Sequence, residues 1–264
     1  MKKYKVCWIT LCKNEIDILP FVSKYWERIA DKVVVFDNDS TDGSLEFLAK
    51  LPYVEIRHFD SDGQNDPLQK KIKEEAYLEY KDKYDVVIIS DMDEIFYADD
   101  MDGIFDDFFA GGYAVLAFPI VTLCENSKPN FDASLLLHQQ CHMYYKQKMN
   151  HTIGFEEISK FSIFNTKVVE AVNMSVGQHY VQTLPTMKIL IHDDGFCLHL
   201  DKGFGWKYFC DRRKKMGDNL SETNKRGGMC FEYLKSENES RNEYLKKQEK
   251  SFDINDYFNS NNKS

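Results

Sequence analysis

Asp91 and Asp93 stand two residues apart, directly after the run Val86-Val87-Ile88-Ile89-Ser90. In an extended chain, residues two apart point to the same side, so both carboxylates face one small volume. They repel each other unless a cation lies between them or one takes up a proton. Hard oxygen donors of this kind suit Mg2+ or Mn2+, with positions left for water and substrate phosphates. Two further polar segments follow apolar runs: Lys13-Asn14-Glu15, and the stretch from Asp37 to Asp42. In open α/β sheets ligands bind outside the carboxyl ends of the strands, so the three segments are expected to line one crevice.

The elements that must position these groups are legible as alternating patterns. Apolar runs at 5–11, 33–36 and 86–90 read as strands, 54–59 as another strand, and 113–121 as one longer strand. Between them, 19–30 reads as a helix with an apolar stripe at Val22, Tyr25, Trp26 and Ile29 and Pro20 in its first turn. A second helix opens at Asp66-Pro67 and carries Leu68, Ile72, Ala76 and Tyr80 at every fourth position. Strand alternating with helix implies a mostly parallel, layered α/β sheet. Beyond 121 the pattern is less regular: 161–164, 168–172 and 187–191 suit strands, and 205–216 a basic, aromatic-rich helix.

The 264 residues carry a net charge of −9, which disfavours broad nucleic-acid binding. No window is long and apolar enough to span a bilayer. Seven cysteines, an odd number without a disulfide spacing, fit reduced thiols in a cytoplasm. Cys141 lies between His138 and His142, but without the spacing of a structural zinc site.

On these residues the chain resembles a glycosyltransferase of the GT-A fold, close to the family 2 type. Three pieces carry the resemblance. They are the first strand with Lys13-Asn14-Glu15, the strand and loop Val-Val-Val-Phe-Asp37-Asn38-Asp39-Ser40-Thr41-Asp42-Gly43-Ser44, and Val-Ile-Ile-Ser-Asp91-Met92-Asp93-Glu94. They match the family over about residues 4–100, in order and spacing. The fold implied is α/β, a GT-A-like (Rossmann-like) mostly parallel sheet flanked by helices, with a less regular C-terminal part. Residues 1–235 are expected to form one domain, with a nucleotide-binding half at 1–100 and an acceptor half at 101–235, followed by a polar tail at 236–264.

The resemblance implies transfer of a sugar from a nucleoside-diphosphate sugar, expected to be a UDP-sugar, to a glycan or lipid-linked acceptor in polysaccharide biosynthesis. Glu15, Asp37, Asp39, Asp91 and Lys202 would bind the donor. Asp91 and Asp93 would hold Mn2+ or Mg2+, with His199 closing the metal site. Lys207, Arg212 and Arg213 join Lys202 as cations for the leaving diphosphate. An inverting enzyme needs a carboxylate base, for which Asp193, Asp194 and the Glu156-Glu157 pair are the visible choices. The basic, aromatic segment 202–215 leaves open a peripheral contact at the inner membrane face. Two rival readings share the acidic motif: a haloacid-dehalogenase-like phosphatase using Asp91 and Asp93, and a module that binds nucleotide or glycan without turnover.

Overall fold

The computed structural model describes residues 2–146, 161–175, 187–201 and 203–256. In its first part the chain runs β1 (Val6–Cys12), α1 (Leu19–Ile29), β2 (Lys32–Asp37), α2 (Ser44–Leu48), β3 (Val54–His58), α3 (Asp66–Tyr80) and β4 (Val86–Ile89). There follow β5 (Glu94–Ala98), α4 (Met101–Ala110), β6 (Val115–Ala117), β7 (Ile120–Leu123), α5 (Leu137–Gln140), β8 (Met143–Lys146), β9 (Ile163–Asn165), β10 (Ile189–Ile191) and β11 (Gly195–His199). The last elements are α6 (Trp206–Asp218), α7 (Glu222–Gly227), a 3-10 turn at Phe231–Leu234, α8 (Glu237–Gln248) and β12 (Phe252–Asp253).

The central sheet has the order β10-β6-β9-β4-β1-β2-β3. All its pairings are parallel except those of β9, which runs antiparallel to β4 and β6. Side chains alternate across it, as strand geometry requires. Val6, Trp8, Val33, Val35, Val86 and Ile88 pack on one face with the predicted stripe of α1. Cys7, Ile9, Val34, Val87 and Ile89 pack on the other with Ala76, Tyr77 and Tyr80 of α3. This is the expected mixed α/β architecture, a largely parallel sheet flanked by helices.

The buried face of α3 differs from the expected stripe. Lys73, Ala76, Tyr77 and Tyr80 are buried, whereas Leu68 and Ile72 are only partly so. A strict period of four drifts around a helix of 3.6 residues per turn, so the early members of the stripe rotate off the sheet.

A second sheet, β12-β8-β7-β11-β5, shares the α1-side core of the first. It exists because the single strand expected at 113–121 is two: β6 joins the central sheet and β7 the second. Pro119 sits between them and cannot donate to a ladder. The strand expected at 168–172 is a turn instead. Val168 and Val169 donate back to the Asn165 carbonyl, and the Asn165 side chain accepts from Lys167 N–H at 3.0 Å, so the chain bends.

His138 locks the second sheet to α1. The Tyr25 hydroxyl accepts the His138 backbone N–H at 3.2 Å and shares a second hydrogen bond with the ring Nδ1, 2.9 Å away. The ring also packs on Tyr97 and Phe196. Burial pulls its pKa down to about 4, and neighbouring Asp99 offsets this only in part. The unfolded chain takes up that proton near pH 6.5, so folding loses stability as pH falls from 6.5 towards 4. We predict that wild type loses about 2 kcal/mol more between pH 7 and 4.5 than His138→Gln does. Urea unfolding at the two pH values checks this; parallel losses would contradict it.

Candidate functional site

The parallel strands β2, β1 and β4 end at one edge of the central sheet. Cys12 pairs with Asp37, and Ile9 with Ile89. The loops that leave this edge are laced together by side chains. Asn14 N–H donates to Ser40 Oγ (2.9 Å), Glu15 N–H to Ser44 Oγ (2.9 Å), Ile16 N–H to Asp42 Oδ2 (3.0 Å) and Thr41 N–H to Asn14 Oδ1 (2.7 Å). Lys13 Nζ bridges the Asn38 and Asp39 carbonyls. Asn14 and Asp39 take left-handed backbone angles, which Asn and Asp tolerate better than most residues. Burial works against the charge of Asp42, but bonds from Ser44 and Ile16 hold its carboxyl below the usual range.

Asp37 is 2% exposed. Its Oδ2 accepts Ser40 N–H at 3.0 Å, while its Oδ1 is buried with no partner among the described residues. Such an unmade acceptor is unusual in a folded protein and demands an explanation. Asp39, in contrast, is exposed, 3.5 Å from His58 Nδ1.

The acidic turn after β4 is fixed from below. Trp8 Nε1 donates to Ser90 Oγ at 2.8 Å, and that hydroxyl donates to the Asp91 carbonyl at 3.0 Å. Glu94 accepts Asp91 N–H at 3.2 Å through its own buried side chain. The antiparallel β5–β11 ladder pairs His199 with Glu94, and Leu200 N–H donates to the Asp93 carbonyl at 2.8 Å. This register brings His199 Nε2 to 3.9 Å from Asp93 Oδ2.

Each of the two carboxylates pairs with a basic side chain of a different helix. Asp91 Oδ1 pairs with Lys73 Nζ at 2.8 Å, and Lys73 is fully buried. Asp93 Oδ2 pairs with Arg212 at 3.1 Å, and the same guanidinium binds Glu15 bidentately at 2.7 and 3.1 Å. Burial disfavours the guanidinium, but Glu15 and Asp93 outweigh it and hold its pKa well above the usual value. Arg212 is delivered by α6, which is clamped by α8: Phe209 stacks on Tyr244 at 5.5 Å, and Arg213 bonds Ser240 and Glu243.

The structure thus brings Glu15, Asp93, His199 and Arg212 together, with Asp91 and Asp37 on the same edge. It does not bring Asp193 and Asp194 there. They precede β11 at the end opposite His199, on the order of 16 Å away along the strand. They line a separate acidic cavity of about 580 Å³ with Asp99, Asp100, Asp107 and His192. Lys207 is exposed and pairs with Asp211. Glu156, Glu157 and Lys202 lie outside the described residues. Sequence reasoning missed Lys73, whose only signal was its place three and four residues before Ala76 and Tyr77 on one helix face.

Among the described residues no group of three His, Cys, Asp or Glu side chains is arranged to hold a metal. Asp93 and His199 nonetheless present an oxygen and a nitrogen donor to one locus. Two such protein ligands, completed by water and substrate phosphate, suit Mg2+ or Mn2+.

No protein-family model matches the chain, and no curated protein matches it in sequence. Among solved structures it is similar to S. aureus TarS 1–349, at TM-score 0.48 and 13% identity, covering 84% of this chain and 68% of that one. The same fragment in complex with UDP gives TM-score 0.48 and 13% identity, over 87% and 70% of the two chains. A 4-diphosphocytidyl-2C-methyl-D-erythritol synthase gives TM-score 0.36 and 11% identity, over 64% and 78%.

The support beneath the acidic turn is testable. Ser90→Ala strands the buried Trp8 N–H, and an unmade buried donor costs about 1–3 kcal/mol. We predict that loss in urea unfolding; a change under about 0.5 kcal/mol, within the scatter of a neutral substitution, would refute the arrangement.

Proposed function

We propose that the chain is a nucleoside-diphosphate-sugar glycosyltransferase. The observation that carries the reading is the buried, unpartnered Oδ1 of Asp37 at the carboxyl end of β2, on the edge where Glu15, Asp91 and Asp93 also stand. That oxygen is covered in the ligand-free chain, and an acceptor left unmade there gains a partner once a shift of the loop after β2 admits an N–H of a base or a hydroxyl of a ribose. The motifs around it supply the remaining parts of a donor site.

In this reading Asp37 and Asp39 hold the nucleoside of a UDP-sugar. The laced loops hold the backbone around Asp37 and Asp39 before the donor arrives, so little backbone ordering remains to be done on binding. Asp93 and His199 would hold a divalent cation, with Asp91 beside them, and when bound it supplies positive charge to the leaving diphosphate. Arg212 adds a second positive group in a largely buried setting, where it is worth more than in water. The acceptor is a glycan or a lipid-linked sugar. Among the described residues no helix is long and apolar enough to cross a membrane.

Calorimetric titration of UDP, GDP and CDP, each with Mn2+ and with EDTA, tests the reading. UDP is expected to bind with Mn2+ and to weaken at least about tenfold in EDTA. Asp39 is exposed, and Asp39→Asn removes its charge while keeping a residue that tolerates the left-handed backbone there; it should weaken UDP about tenfold, or ~1.4 kcal/mol. Absence of nucleotide binding under every condition would overturn the proposal.

A further inference from the structure

The Arg212 guanidinium stands where a metal-ligating carboxylate needs its lone pairs. Its Nη2 lies 3.1 Å from Asp93 Oδ2, the same oxygen that His199 Nε2 approaches to 3.9 Å. Its fork is held by Glu15, while its Nε is buried with no hydrogen-bond partner among the described residues. An arginine that satisfies two carboxylates and leaves a donor unmade is well placed as a counter-ion but is not fully satisfied. A divalent cation on Asp93 would sit beside this guanidinium, and two positive groups on one oxygen repel.

We propose that Arg212 is the resident counter-ion of Asp93, competing with the divalent cation in the nucleotide-free protein and turning to the diphosphate when donor and metal bind together. The identity of that diphosphate rests on the glycosyltransferase reading; the competition for Asp93 does not. Two consequences follow. Metal alone binds weakly, because it must displace a paired arginine. Nucleotide strengthens metal, because the diphosphate gives Arg212 another anion, and by linkage metal strengthens nucleotide by the same factor.

The test follows free Mn2+ by electron paramagnetic resonance during titration of the protein, with and without UDP. Arg212→Gln removes the competitor, so Mn2+ alone is expected to bind about tenfold tighter or more than to wild type, while UDP in EDTA binds more weakly. Glu15→Gln leaves Asp93 as the remaining carboxylate of that pair, so Mn2+ alone should bind more weakly than to wild type. Opposite signs in two near-isosteric variants separate competition from general damage, and melting curves check folding. Should Arg212→Gln not fold, the Glu15→Gln arm decides, since tighter or unchanged Mn2+ binding there overturns the proposal. Equal or weaker Mn2+ binding by folded Arg212→Gln also overturns it, even where UDP binds wild type as expected. The predicted Mn2+ shifts without any UDP binding would instead uphold the competition and remove the glycosyltransferase reading.

Discussion

Arg212 ties together three parts of the chain that are far apart in sequence. Glu15 comes from the loop after β1, Asp93 from the turn after β4, and the arginine itself from α6 near the C-terminal end. Two carboxylates and one guanidinium, all largely buried, leave one negative charge in excess. Removing charges from water is expensive, and the network persists because each member offsets the desolvation of its neighbours. Removing Arg212 would leave two neighbouring carboxylates uncompensated. The clamp of α8 on α6 therefore serves the site as much as the fold: Phe209 on Tyr244 and Arg213 on Glu243 hold the helix that delivers Arg212.

The remaining scaffold answers the same need. A parallel sheet ends its strands at one edge, but that alone would leave three acid-bearing segments mutually repelling. Side-chain hydrogen bonds between the loops after β1 and β2 fix their backbones, and Trp8 through Ser90 fixes the acidic turn from the core. The second sheet brings the last piece. Its β5–β11 ladder starts at the acidic turn itself, so His199 arrives beside Asp93 by strand register rather than by a flexible loop. Lys73 and Arg212 then take one carboxylate each, dividing a charge problem that the sequence presents as a single pair.

Much of this was legible in the residues, and the gaps have physical causes. Strands buried on both faces announce themselves as apolar runs, so β1, β2 and β4 and the polar segments that follow them could be placed directly. The resemblance set His199 beside Asp93 and Arg212 near the leaving diphosphate, but not the contact of Arg212 with Asp93, which joins residues 119 apart in the chain. Pro119 was visible, yet the unbroken apolar texture around it read as one strand, hiding the change of sheet. Lys73 was hidden for a different reason: a lysine on a helix reads as solvated, and the carboxylate that compensates its burial stands at another element's end. Asp193 and Asp194 looked available as bases because sequence does not say which end of β11 faces the crevice. The register puts His199 at that end and the two aspartates at the other.

The central claim is that Asp93 and His199 form one cation and diphosphate locus beside Arg212. It is tested most directly by anomalous diffraction at the manganese edge from crystals grown with MnCl2 and UDP. The account predicts a manganese peak bound by Asp93 and His199, with the nucleoside against Asp37 and Arg212 turned from Asp93 to the diphosphate. A manganese peak in the acidic cavity at Asp99, Asp107 and Asp194, with Arg212 still on Glu15 and Asp93, would contradict it.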